Sequence, residues 1–370
     1  MNAILRWLLD GVARLARTLD LPLCAALAAL LAIALAVLYS AGGESPQLVL
    51  AQGARFAVGL AALWALSRIP PHKLRNATPV AYALTLLPLL LVLAIGTGKH
   101  GRHWIDLKLF YFQPAELLKL TLPMMAAWYL NRERLPPRFS VVLVAAAIIG
   151  VPTGLILLQP DFGTAMLVGI AGAFVLYLAG LSWWWFVAAG SGVAAVAPLA
   201  WFFLLRPYQK DRILTFLNPE SDPLGSGWNI IQSKIAIGAG GFTGKGWGQG
   251  TQSHLNYLPE HTTDFIFAVL SEEFGWIGVA TVLALYLFII GRCLWIASEA
   301  RDGYSRLLAG SLGLSMLVYV VVNGGMISGL LPVVGVPMPL LSYGGTSAVS
   351  LLAGLGVVMA VRSHRPTHGM

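Results

Sequence analysis

Charge is what this sequence has least of. Only 11% of its 370 residues are Asp, Glu, Lys or Arg, against about 25% in soluble domains. That excludes an ordinary water-soluble globular domain. The net charge of +8 therefore has to be read by position, and no basic helix or aromatic–basic repeat of the nucleic-acid-binding kind is present. Cysteine is nearly absent too. Cys24 and Cys293 both sit in apolar sequence, which excludes a disulfide framework or a cysteine metal site and leaves two buried thiols. There is no Gly-x-Ser-x-Gly elbow, so serine chemistry has no support. The glycine-rich run 238–250 fails as a nucleotide loop. Gly244-Lys245 is followed by Gly246 rather than Ser or Thr, and position 239 is alanine. Its glycines fit either close approach of backbone to a ligand or a compact re-entrant loop.

Apolar residues, at 57%, are what the chain has instead. Runs long enough to cross about 30 Å of hydrocarbon recur near 21–40, 51–69, 77–96, 114–131, 140–158, 163–180, 182–205, 270–296, 306–330 and 343–362. The expected fold is an all-α integral membrane protein of about ten transmembrane helices, a single polytopic domain over 1–370. Pro88, Pro123 and Pro152 lie inside spans, where membrane helices tolerate them. Residues 1–20 place Leu5, Leu8, Val12, Leu15 and Leu19 at helical spacing with Arg6, Arg14 and Arg17 elsewhere on the wheel. They read as an interfacial amphipathic helix. With the N-terminus inside, fourteen of the 24 Lys and Arg residues fall on the inner face and nine on the other. Both termini are then cytoplasmic.

The one long polar interval, 206–263, is expected to be a large extracytoplasmic loop. A structureless connection of this length usually signals function. Its five cations (Arg206, Lys210, Arg212, Lys234 and Lys245) join Lys99, Arg102 and Lys108 of the loop near 97–113. Together they make a positive outer face suited to a pyrophosphate, or simply a solvated loop touching lipid phosphate. Charges at membrane depth are functional candidates. Glu116 and Lys119 are three residues apart, on one helix face, and can pair. Asp161 follows Gln159-Pro160 in a tight turn and can cap the next helix. Thr262 and Thr263 read as caps, which would put Asp264 in a first helical turn where the backbone dipole favours a carboxylate. Glu272 and Glu273, two turns deeper, read as packing or network residues.

The string Asn323-Gly324-Gly325-Met326-Ile327-Ser328-Gly329-Leu330-Leu331-Pro332, continuing through Ser342-Tyr343-Gly344-Gly345-Thr346-Ser347, resembles the signature of the SEDS family (shape, elongation, division, sporulation). Gly101–Leu107, Gln113–Lys119, Gln159–Asp161, Ile230–Gly238 and Pro259–Asp264 resemble its other blocks, in order. Gly325 and Thr346 vary within the signature and threaten no proposed chemistry. The 247–263 region is more similar to the elongation branch than to the division branch. The resemblance implies the SEDS fold, related to other polyprenyl-sugar glycosyltransferases. It also implies a peptidoglycan glycosyltransferase that polymerises lipid II on the outer face of the bacterial plasma membrane during elongation and rod-shape maintenance. The family's essential aspartate maps onto Asp264. Its sensitive Glu/Lys pair and second aspartate map onto Glu116, Lys119 and Asp161, and an arginine onto Arg102. A class B penicillin-binding protein is the implied partner.

For such a reaction Asp264 would be the general base. Arg102, Lys119, Arg206, Arg212, Lys234 and Lys245 are the candidates for stabilising the departing pyrophosphate. No metal cage is visible and no tightly bound cofactor is expected; the resemblance implies that Mg2+ or Mn2+ could share that role. The rival reading is a lipid II flippase, which would need a polar path across the whole membrane. The charge distribution makes a direct prediction. A Ser253→Cys variant should react with impermeant thiol reagents from outside intact cells and Ser298→Cys should not; labelling of the latter overturns the orientation.

Overall fold

The computed structural model describes residues 19–97, 103–106, 108, 111–203, 205, 207–221, 227–251 and 260–364. All but the last two residues of the expected amphipathic helix, and both Arg102 and Arg206, lie outside them. Twelve α-helices are present among the described residues. They are α1 Leu21–Ala41, α2 Pro46–Ser67, α3 Pro71–Ile95, α4 Pro114–Leu130, α5 Phe139–Leu158, α6 Phe162–Leu178, α7 Trp183–Phe203, α8 Pro207–Leu217, α9 Trp228–Gly240, α10 Ile266–Ser298, α11 Gly303–Ile327 and α12 Thr346–Ser363. Two-residue strands β1 Ile105–Asp106 and β2 Tyr111–Phe112 pair antiparallel in the α3–α4 connection, the one departure from an all-helical fold. Eight helices are long and apolar enough to cross a membrane. The other two expected spans, α4 and α6, are helices of 17 residues each, at the short limit of about 17–25. The chain is a multi-pass membrane protein.

Successive crossings alternate in direction, most of them joined by short turns, so the residues sort onto two ends. One end collects Arg68, Arg132 and Arg292, each with its guanidinium over a tryptophan of the same helix, Trp64, Trp128 and Trp295, at 4.0, 3.6 and 4.0 Å. At that end Asp20 caps α1 through Leu23 N and binds Arg292 of α10 and Arg362 of α12. The other end collects Glu116, Asp161 and Asp264. Between the two ends the core is apolar: one cluster joins α1, α10 and α12, another joins α3 to α6 with the start of α11. α7 has no buried side chain.

The 206–263 interval is not structureless, as its polarity led us to expect. α8, a short 3-10 turn at Pro219–Ser221 and α9 occupy much of it. α9 packs along α10, with Ser233 Oγ donating to the Ile327 carbonyl at 2.8 Å. α10 itself is broken at Gly275, whose φ of 61° and ψ of −157° no helix contains. The break frees backbone groups that lipid cannot satisfy, and the glycine run supplies their partners. Lys245 N and Gly246 N donate to the Glu272 and Glu273 carbonyls, both at 3.0 Å. Trp276 N and Ile277 N donate back to Gly241 and Phe242 at 3.0 and 3.2 Å. The approach demands glycine. A Cβ on Gly240 would lie 2.0 Å from the Ser271 carbonyl oxygen and one on Gly244 2.1 Å from that of Glu273.

Small residues also set the closest helix pair, as is usual in membranes. α2 and α12 pack along their lengths. A Cβ on Gly356 would sit 2.5 Å from the Leu63 carbonyl oxygen and 2.7 Å from its Cα, both backbone atoms that cannot swing away. Gly356→Leu should therefore part the two helices and lower stability by about 1–3 kcal/mol, seen as a lower melting temperature in detergent. Unchanged melting would show the pair to be compliant.

Candidate functional site

Two groups of polar side chains meet across α11. The first begins at the N-terminus of α4, where Pro114 occupies the first helical position, preset for it. One turn on, Lys119 Nζ donates to Glu116 Oε1 at 2.6 Å, and Ser350 Oγ of α12 donates to Glu116 Oε2 at 2.8 Å. Glu116 is 5% exposed. The expected pair is thus formed, and it joins α4 to α12. The Lys119 ammonium also lies over the Tyr319 ring of α11, 5.1 Å from its centroid. Asp161 is the N-cap of α6: Oδ1 accepts from Thr164 N at 3.0 Å, while Oδ2 accepts from Gln113 Nε2 at 2.8 Å. Its carboxylate ties the starts of α4 and α6 together. Immediately after it, Gly163 packs so closely on the 334 turn that a Cβ would lie 2.5 Å from the Val334 carbonyl oxygen.

The second group surrounds Asp264. α10 begins at Ile266 with Phe265 as its cap and no side-chain capping bond, so Asp264 lies in the preceding turn and not in the first helical turn. Thr263 is turned back on Glu260: Thr263 N and Phe265 N both donate to the Glu260 carbonyl, and Thr263 Oγ1 donates to Glu260 Oε2 at 2.9 Å. The threonines close the turn instead of capping the helix. Without the helix dipole, burial dominates. It pushes the Asp264 carboxyl up from 3.8 to about 6, with Glu260 adding to the rise and Arg212 of α8 opposing it. Asp264 as a residue is half-buried. The turn is fastened by Tyr343 N to the Thr262 carbonyl at 2.9 Å and by Asn323 Nδ2 to the Asp264 carbonyl at 2.9 Å.

The proposed cations divide. Arg212 stands on the exposed side of α8 within electrostatic reach of Asp264. Lys234 is an exposed residue of α9 beside Gly329, where an added Cβ would be 2.7 Å from its Nζ. Lys245 is engaged otherwise: Nζ donates to fully buried Glu272 at 2.6 Å and to Thr251 at 2.8 Å. Its first duty is to neutralise Glu272, the network role expected for that acid. Glu273 likewise binds Ser40 of α1. Tyr319, Ser350 and Gln113 were given no individual role from sequence. Their partners are remote along the chain, although Tyr319 and Asn323 show the one-turn spacing of a shared helix face.

The sequence matches the profile of the FtsW/RodA/SpoVE cell cycle proteins over residues 17–367. The chain belongs to that family. It is 46% identical over 348 residues to the peptidoglycan glycosyltransferase MrdB of Escherichia coli K12, covering 94% of each chain. It is 39% identical over 310 residues to the probable peptidoglycan glycosyltransferase FtsW of Halorhodospira halophila, covering 82% of this chain and 78% of that one. Among solved structures, a chain of a peptidoglycan synthase complex that coordinates polymerization and crosslinking superposes with a TM-score of 0.83 at 32% identity, over 94% of this chain and 99% of that one. The rod shape determining protein RodA of Thermus thermophilus superposes with a TM-score of 0.72 at 29% identity, over 93% and 97%.

The Glu116–Lys119 geometry of this family member makes a stability prediction. Removing one partner strands a buried charge, at a cost of up to about 3–5 kcal/mol. Glu116→Ala and Lys119→Ala should each melt well below the native protein, and Glu116→Gln combined with Lys119→Met should recover much of the loss. Additive losses in the double variant would show that the two charges do not depend on each other.

Proposed function

We propose that this protein is a peptidoglycan glycosyltransferase that polymerises lipid II in cell-wall elongation, with Asp264 as its general base. The observation that carries the assignment of the base is the Asp264 turn: a half-buried aspartate whose carboxyl is pushed up to about 6 by burial, with Arg212 of α8 within electrostatic reach. Glycosyl transfer between two lipid-linked saccharides requires the acceptor hydroxyl to lose its proton as it attacks the donor's anomeric carbon. A carboxylate poised just below neutral pH is ionised in use, yet basic enough to take that proton. The leaving undecaprenyl pyrophosphate is already activated and needs charge neutralisation more than a second acid. Arg212, Lys234 and Lys119 fit that task, with Arg102 and Arg206 proposed from sequence. Lys245 contributes through Glu272. Asp161 helps to shape the site by holding Gln113 and the α6 N-terminus.

Among the described residues no three acid, histidine or cysteine groups converge as a metal site. Asp264 and Glu260 are two neighbouring carboxylates. That suffices for Mg2+ or Mn2+ held mainly by water and substrate oxygens; such an ion would neutralise charge on the departing diphosphate. We further propose that both termini are cytoplasmic and the 206–263 segment extracytoplasmic. A class B penicillin-binding protein would crosslink the strands. A flippase fits less well, because the acids gather at one end and apolar clusters lie below them.

Polymerisation of lipid II by the purified protein with its penicillin-binding partner, in the presence of moenomycin to silence class A synthases, tests this. Asp264→Asn should bind lipid II and the partner yet lose polymerisation by about two orders of magnitude or more. The native rate should fall as pH drops through about 6, since the base must be deprotonated. Stability runs the other way. The folded state holds the proton more tightly than the unfolded chain, so ionised Asp264 is destabilising above pH 6 and neutral below the unfolded value. Asp264→Asn should then melt no lower than native at pH 7.5. Glycan formation at the native rate by Asp264→Asn would sink the base, and normal polymerisation by the neutral Glu116/Lys119 double variant would make that pair purely structural.

A further inference from the structure

Asn323 lies on α11 with none of its surface exposed. Its side-chain amide donates in two directions, at 2.9 Å to the Asp264 carbonyl and at 2.8 Å to the Val336 carbonyl. Its own Oδ1 is buried with no hydrogen-bond partner. Burying a side-chain amide with an unmade bond is costly, and its neighbours Tyr319, Val322, Val336 and Leu167 form an apolar cluster in which a leucine would pack. Local stability alone therefore does not explain an amide here.

The two carbonyls it holds belong to two segments remote in sequence. One is the acidic turn 260–265, the other the 333–337 turn, where Gly335 has a φ of 70° and a Cβ would lie 3.7 Å from Asp264 Oδ2. The second turn thus forms one wall of the space around the carboxylate. Asp264 has no helix position to fix it, and the side-chain bond to its own residue's backbone comes from Asn323. One turn earlier on the same face of α11, Tyr319 carries the Lys119 ammonium.

We propose that Asn323 is a positioning residue for the transfer reaction. By clamping the Asp264 and Val336 carbonyls it sets the Asp264 carboxylate against the acceptor oxygen, without touching substrate itself. The proposal rests on the reading of Asp264 as the base. A displacement of about an ångström at such a group can lower turnover by roughly 10²-fold. The effect belongs in kcat, because neither carbonyl nor amide takes part in substrate binding.

The test uses full-length protein purified with its penicillin-binding partner. Asn323→Leu keeps the branched shape, is somewhat larger, and removes both donors. It should fold and bind lipid II, with kcat for polymerisation down about 10–100-fold and KM within about twofold. Asn323→Asp turns a carboxyl toward the same turn. The charged groups already around Asp264 are Glu260 on its own turn and Arg212 on α8. Lys234 stands beside Gly329, and Arg55 of α2 stacks on Tyr343 at 4.3 Å. With these unchanged, burial between two carbonyls and an apolar cluster keeps that carboxyl protonated, so it donates to one of them and should keep part of the turnover lost in Asn323→Leu. Should the leucine variant fail to accumulate, Asn323→Ser is read by the same kcat and KM criteria.

Native turnover in folded Asn323→Leu overturns the proposal, as does a loss confined to KM or an Asn323→Asp variant no more active than Asn323→Leu. Asp264→Asn run alongside separates the two readings. If it polymerises, the base assignment fails whatever Asn323 does. If it is inactive while Asn323→Leu is fully active, only the positioning role fails.

Discussion

A helix in lipid that stops and restarts must have its freed amides and carbonyls met by protein, and the rest of this structure depends on how that is done at Gly275. The break leaves the carbonyls of Glu272 and Glu273 and the amides of Trp276 and Ile277 facing a segment with almost no side chains in the way. The glycine run is therefore a backbone partner for α10. Its polar side chains serve the same contact: Lys245 and Thr251 meet Glu272, and Trp247 Nε1 donates to the Ala36 carbonyl of α1 at 2.9 Å. The docked run helps to hold the start of α10 in place, and Asp264 with it.

From that anchor the site is assembled by short polar ties between helix ends. Gln113 and Asp161 join α4 to α6, Glu116 and Ser350 join α4 to α12, and Asn323 joins α11 to the acidic turn. Each tie lies where a helix leaves the apolar interior, so a charged or amide group there gives up less hydration than at the bilayer centre. The same economy explains the opposite end, where Asp20 gathers Arg292 and Arg362. Both ends are thus cross-linked by polar contacts, while the middle is held by packing of small and branched residues. The end with Asp264 also offers a half-buried aspartate, its carboxyl pushed up to about 6, with Arg212 within electrostatic reach.

Much of this was legible in the residues. Ten apolar runs became ten helices because length and hydropathy are properties of a segment alone. The Glu116–Lys119 pair was legible because i and i+3 share a helix face whatever surrounds them, and the capping of α6 by Asp161 because a cap is local. Asp264 was singled out as a residue of interest but placed one turn too deep. The threonines before it had a competing partner, Glu260, and nothing local decides between capping a helix and closing a turn. The 206–263 interval was misjudged for a related reason. α8 is too short and too polar, and α9 too short, to announce themselves by hydropathy, and α9 is helical beside α10 because packing rewards it.

What the sequence by itself determined is the class of protein, the number and order of its crossings, the end at which its acids collect, and the family whose ordered blocks it carries. These rest on local composition and spacing, which survive any rearrangement of the helices. The tertiary structure alone decided which charges are already matched and which carboxyl burial raises. In the sequence Lys245 and Arg212 are two cations of one polar interval, yet Lys245 neutralises a buried glutamate and Arg212 stands exposed within electrostatic reach of Asp264. The basicity of Asp264 and the double grip of Asn323 depend on burial and on partners some 13 to 59 residues away. No periodicity encodes contacts of that kind; they exist only once the chain has closed on itself.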